Sequence, residues 1–170
     1  KKEILVYCKK NNLNPKFDKS NKDNIYSRNI IRNEIFPLVE KNINENAKEV
    51  IARNSKLIAK ENKFLQNLAV EKYESIVKFE DENKVIIDIE KFKNINKVLQ
   101  RRIYRHIYKI LNNNLDDFYF DHILEIEKIL YRDKNGVGID ISAGIRAEIS
   151  YSNLVFLKNS SDNQLIQKKI

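Results

Sequence analysis

The chain has 170 residues, 42% hydrophobic and 33% charged, with a formal net charge of +8. That composition suits one or two small soluble domains with a real core; it holds no apolar run near the roughly 18 residues of a membrane-spanning helix, and the apolar run at residues 4–7 is too short for a signal peptide. A single cysteine, Cys8, forms no internal disulfide and points to a reducing, cytoplasmic setting, while the excess of positive charge favours a polyanionic partner, nucleic acid first.

The opening "KKEILVYCKK" reads as the second half of a helix, with Ile4, Leu5 and Cys8 on one apolar face. With no methionine in the chain, this start implies a piece of a longer protein. Residues 11–23 read as a loop, Pro15 holding Asn14 extended. Helical periodicity resumes with Ile25, Ile30, Ile31, Ile35, Leu38 and Val39. Pro37 is expected to interrupt or bend that helix. From about residue 46 to residue 76 runs a long amphipathic helix, with Val50, Ile51, Leu57, Ile58, Phe64, Leu65 and Leu68 on its apolar face.

Residues 84–89, "KVIIDI", are β-branched and short, hence a strand. Residues 94–112 and 116–132 return to helix, with Asp116 or Asn114 as the expected N-cap of the second. "VGIDIS", "IRAEIS" and "LVFLK" are three short strands turning at Ala143-Gly144 and Ser152-Asn153, read as an antiparallel meander. The fold class is therefore α+β: predominantly α-helical, with a small antiparallel sheet in the second half. The polar tail, residues 159–170, reads as a linker.

Two constellations carry candidate chemistry. In "DKSNKDNIYSRNIIRNEIFPL", residues 18–38, Asp18, Ser20 and Asn21 have short side chains that bond nearby backbone amides and order a loop. Arg28 and Arg32 follow four apart on a helix, either two guanidinium forks for phosphate oxygens or a solvated face paired with surface carboxylates, with the Asn29 amide beside them. In "NKVLQRRIYRHIYKIL", Lys97, Arg101, Arg105 and Lys109 step by four along one stripe with Arg102 beside it. Leu99, Ile103, Ile107, Ile110 and Leu111 lie opposite. Such a stripe suits a phosphate backbone; a solvated face of a core helix is the alternative. His106 and His122 sit in no metal-ligand pattern and read as structural or surface residues. Asp116, Asp117 and Asp121 suit capping and the helix dipole. Tyr26, Tyr104 and Tyr108 are of a type that stacks bases but equally suit partly buried helix positions.

The residues Asp18-x-Ser20-Asn21-x-Asp23-x-x-Tyr26-x-Arg28-Asn29-x-Ile31-Arg32-x-x-Ile35-x-Pro37-Leu38 resemble the signature of the tRNA(Ile)-lysidine synthetases, without a gap over some twenty positions. "LQRRIYRHIY" resembles the middle-domain helix of that family, and "GVGIDISAGIRAEISYSNLVFL" the short-stranded segment after it, with Ser142-Ala143-Gly144 where Pro-Gly-Gly is usual. The resemblance implies a PP-loop ATP pyrophosphatase-type ligase. Such an enzyme uses ATP, with Mg2+, to adenylate C2 of the wobble cytidine of tRNA(Ile) with a CAU anticodon. L-lysine then displaces AMP.

It also implies an organisation: residues 1–45 ending a Rossmann-like nucleotide-binding domain, 46–80 a connecting helix, 81–158 a middle tRNA-binding domain, and 159–170 a linker toward a further domain. Asp18, Ser20, Asn21, Arg28, Asn29 and Arg32 would then shape the nucleotide or substrate pocket, and Arg101, Arg102 and Arg105 would contact the tRNA. The family's Ser-Gly-Gly-x-Asp-Ser loop is absent from these residues, so the chain alone is expected to bind no ATP and to be inactive; its catalytic residues are not assigned. A homodimer is compatible with the pattern. The competing readings are a non-catalytic basic RNA-binding module and a helical protein-interaction domain pairing through Leu57, Phe64 and Leu68.

Overall fold

Alternating burial along paired strands sets the architecture. The computed structural model describes residues 2–13, 26–132 and 134–159. Five strands form one antiparallel sheet: β1 (Val77–Glu80), β2 (Lys84–Asp88), β3 (Gly138–Asp140), β4 (Ile145–Ser150) and β5 (Asn153–Lys158). Their spatial order is β1-β2-β5-β4-β3. Because side chains alternate in direction, register decides which of them share a face. Val85 lies opposite Phe156, which lies opposite Ala147; Ile87, Leu154 and Ile149 form the next row. All six are buried and make one continuous apolar face.

The helices α4 (Ala47–Glu74), α5 (Ile89–Lys93), α6 (Lys97–Asn112) and α7 (Phe120–Tyr131) contribute to the same core. Tyr104 of α6 joins the layers. Its ring centroid lies 6.4 Å from that of Phe156 on β5 and 5.2 Å from that of Phe92 on α5. Burial pushes the Tyr104 phenol above its ordinary pKa.

Local chemistry fixes where α5 and α6 begin and end. Asp88 caps α5, accepting from the Lys91 N–H at 3.0 Å, and pairs with Lys78 at 2.9 Å. That backbone bond first, then Lys78, holds its carboxyl below the usual range. Asn96 caps α6 by accepting from the Val98 N–H at 2.9 Å. Asn113, at φ 62°, ends α6 in the left-handed region. The Lys158 ammonium donates to the Leu111 carbonyl at 2.8 Å. Gln100 is buried, and its amide N–H groups donate to the Phe92 and Ile95 carbonyls, each at 2.9 Å. It thereby braces the turn between α5 and α6.

The α+β reading holds, with adjustments. β1 was not foreseen, and it pairs with β2 across a register shift. Ile89 opens α5 instead of closing a strand. The last three strands form the expected antiparallel meander, and β2 pairs along β5 to extend the sheet. Their final turn lies at Tyr151 and Ser152, so Asn153 already pairs with Ser150.

The helix expected from residue 116 starts only at Phe120, with Tyr119 as N-cap. Asn114 instead accepts the Asp116 N–H within the preceding turn. Asp117 takes φ 60°, and Phe118 is buried with its ring stacked 4.5 Å from Tyr108. Burying Phe118 there outweighs continuing a helix.

The chain divides into two compact units, Lys1–Ile58 and Ala59–Ile170. In the first lie α1 (Lys2–Lys10) and a helix running through α2 (Ser27–Ile30), a π-helical stretch (Ile31–Ile35) and α3 (Phe36–Asn42). Pro37 does not interrupt it. π-Helical bonding reaches one residue further back, opening the ladder just where Pro37 offers no donor. Cys8 is partly exposed, beside exposed Ile4 and Tyr7. On α4, Leu57 and Phe64 are exposed, whereas Leu68 packs against the core of the second unit. No helix among the described residues is long and apolar enough to cross a membrane.

The β3–β4 turn carries both Ala143, at φ 53°, and Gly144, at φ 70°. Only glycine takes such angles without strain. Replacing Ala143 by glycine is expected to stabilise the fold by about 1 kcal/mol, read as a rise in urea midpoint; a fall would contradict this account of the turn.

Candidate nucleic-acid interface

The amphipathic pattern of α6 decides what it presents outward. Leu99, Ile103, Tyr104, Ile107, Tyr108 and Leu111 are buried. Lys97, Arg105 and Lys109 are exposed, and Arg101 and Arg102 half-buried. The basic stripe is therefore the outer side of a helix whose inner side is core.

A cleft of about 600 Å³ opens along this stripe. Arg101, Arg102, Arg105, His106 and Lys109 line one wall, all from α6. Asn62 and Gln66 of α4 face them, and Val98 and Leu115 supply apolar contact. Arg102 donates to the Asn62 side-chain oxygen at 2.8 Å. The Arg101 Nε donates to Glu127 of α7 at 3.1 Å, and its guanidinium carbon sits 5.2 Å from the centroid of the Phe120 ring. Arg105 makes no hydrogen bond or ion pair among the described residues and projects its fork to solvent. Two anchored guanidiniums, one free one and an ammonium form a ready array for the oxygens of a polyanion.

His106, expected as a structural or surface residue, stands in the cleft wall. Its ring stands edge-on to Tyr73, centroids 4.9 Å apart. The Tyr73 hydroxyl donates to Glu80 at 2.5 Å, and burial first, then that bond, pushes the Tyr73 phenol up. Burial also lowers the His106 pKa; Lys109 adds to this, while Glu80 and Glu74 oppose it. His122 lies elsewhere and is structural: its Nδ1 accepts from the Tyr119 backbone N–H at 3.1 Å, closing the start of α7.

Of the first constellation, Asp18, Ser20 and Asn21 lie outside the described residues. Arg28 and Arg32 are both exposed, Arg32 within the π-helical stretch. The Arg28 guanidinium carbon lies 5.4 Å from the Tyr26 ring centroid. Asn29 is different: it is 2% exposed, and with Gln100 it is one of two buried polar residues among those described. Asn29 is therefore packed inward, whereas Arg28 and Arg32 on either side of it in sequence are exposed.

Sequence reasoning did not single out Asn62, Gln66 or His106 as site residues. The available signal was periodicity: Asn62 and Gln66 stand four apart on α4, as Arg102 and His106 do on α6. Among the described residues no three His, Cys, Asp or Glu side chains gather as a metal site.

No family model matches the chain. It is 32% identical over 168 residues to the tRNA(Ile)-lysidine synthase of Clostridium acetobutylicum, covering 98% of this chain and 35% of that protein. The tRNA(Ile)-lysidine synthase of Francisella philomiragia is 30% identical over 171 residues, covering 99% and 40%. That of Clostridioides difficile is 26% identical over 189 residues, covering 99% and 41%. The chain thus spans between about a third and two-fifths of the length of these curated relatives.

The lowered His106 pKa has a definite sign in stability. The unfolded chain binds that proton more readily than the folded one, so stability rises with pH. The contribution is complete above the ordinary histidine value of about 6.5 and is lost as pH falls from there toward the lowered folded value. Urea unfolding across roughly pH 5 to 8 is expected to show that loss in the parent and a flatter profile in His106→Gln; parallel profiles would contradict it.

Proposed function

We propose that this chain, which belongs to the tRNA(Ile)-lysidine synthase family, supplies a tRNA-docking surface and part of the substrate pocket of such an enzyme. The parent protein would join L-lysine to C2 of the wobble cytidine of tRNA(Ile), after ATP has made the C2 oxygen a leaving group. The observation that carries the docking role is the cleft along α6, where core packing on one side leaves Arg101, Arg102, Arg105 and Lys109 outward on the other. Phosphate contacts of this kind fix the register of an RNA without reading its sequence. Discrimination among tRNAs then rests on other contacts.

No ATP step is assigned to these residues. Glycine stands only at 136, 138 and 144, and Ser-Gly-Gly-x-Asp-Ser does not occur. ATP and Mg2+ would be held by other parts of the enzyme, and the chain alone would not catalyse lysine transfer. Arg28 and Arg32 are the residues here best suited to hold substrate phosphates, with Asn29 fixing the helix that carries them and Asp18, Ser20 and Asn21 as further candidate pocket residues. Both arginines are exposed and carry donor forks.

Two tests follow. Replacing Arg102, Arg105 and Lys109 together by glutamine is expected to weaken tRNA binding by this chain and to make the log K against log salt slope shallower by roughly one unit per lost phosphate contact. An unchanged slope would remove these residues from the interface. In the full-length enzyme, Arg28→Gln and Arg32→Gln should each depress labelled-lysine transfer to CAU-anticodon tRNA about tenfold or more, the scale of a lost charge-assisted hydrogen bond. Near-normal turnover in both, with the fold intact, would refute the pocket assignment.

A further inference from the structure

The side of α6 next to the cleft meets α7, and there the cations are interleaved with exposed rings. Phe120 and Tyr131 are 54% and 50% exposed, unusual for large aromatic side chains on a core helix. They stand eleven residues apart, so they share one face of α7 about 16 Å from end to end. Each is flanked by positive charge. The Arg101 guanidinium carbon lies 5.2 Å from the Phe120 centroid. The Lys97 and Lys93 ammonium groups lie 5.5 and 5.9 Å from that of Tyr131. Between the rings, the Glu127 carboxylate accepts from the Arg101 Nε at 3.1 Å, and Lys93 and Lys97 make no ion pair among the described residues.

We propose that this α6–α7 face binds unpaired nucleotides of the RNA held in the cleft, with bases stacked on Phe120 and Tyr131 and phosphates on Lys93, Lys97 and Arg101. The inference rests on the RNA-docking reading above and adds a second, distinct mode to it. A half-exposed aromatic residue offers a platform to any base, and the cation held over its ring can swing to the adjoining phosphate. Duplex RNA hides its base faces and has no use for such platforms. Arg101 lines the cleft and also lies against Phe120, so a strand leaving a duplex in the cleft would pass directly onto the rings.

The test compares two fluorescent probes on the full 170-residue chain by anisotropy: an unstructured oligoadenylate RNA and a blunt RNA duplex. Variants are Phe120→Ala/Tyr131→Ala together, and Phe120→Tyr as the conservative change. The double variant is expected to lose about tenfold or more in affinity for oligoadenylate, with duplex affinity unchanged and Phe120→Tyr binding both probes like the parent. Oligoadenylate binding unaffected by the double variant overturns the stacking proposal while leaving the docking reading intact. Polyglutamate displacing oligoadenylate equally well from parent and variant would reduce the face to bare charge and also overturn it. If the parent binds neither probe, the docking reading fails with it.

Discussion

The two-sidedness of α6 is the constraint on which the rest depends. Its inner side places Ile103, Tyr104, Ile107 and Leu111 wholly within the core, and burial of such side chains is worth about 1.5–3 kcal/mol each. Turning the helix to hide its cations would expose those residues and bury Arg105 and Lys109 without partners, a penalty the fold has no means to offset. Core packing therefore holds the basic stripe outward whatever binds to it. The basic surface is ordered by hydrophobic burial, not by its own ion pairs, of which Arg101–Glu127 is the clearest in the stripe.

Neighbouring elements refine that surface. Gln100 and Asn96 fix the start of α6, while Asn113 and Lys158 fix its end, so the stripe has a set length. The Tyr108 hydroxyl meets the Ser142 hydroxyl at 2.8 Å and donates to the Asp116 carbonyl at 2.9 Å, tying the helix to the β3–β4 turn and to the approach to α7. α4 then contributes Asn62 and Gln66, which convert an exposed helix face into a cleft. His106 sits at the junction of core and cleft, where burial favours its neutral form and a bound phosphate would favour its charged one.

Much of this was legible in the sequence where periodicity was strong. The 3.6-residue pattern of residues 97–112 separates buried from exposed positions on α6 nearly residue by residue, and the β-branched run at 84–89 marks β2. The failures have physical causes. β1, "VKFE", is an edge strand with three of its four residues exposed, so it lacks an apolar alternation to read. The late start of α7 reflects stacking of Phe118 on Tyr108, a tertiary contact that local capping rules cannot anticipate. The continuity of the helix through Pro37 depends on a π-helical turn that composition does not signal. The cleft itself joins α4 to α6 across some forty residues of sequence, and only the fold brings Asn62 to Arg102.

The most direct measurement is arginine-specific dicarbonyl modification of the chain with and without tRNA(Ile), read residue by residue by mass spectrometry. With α6 as the docking surface, Arg102 and Arg105 are expected to be protected by tRNA, while Arg146 on β4, which lines no part of the cleft, reacts equally in both states. Equal modification of Arg102, Arg105 and Arg146 with and without saturating tRNA would contradict the account.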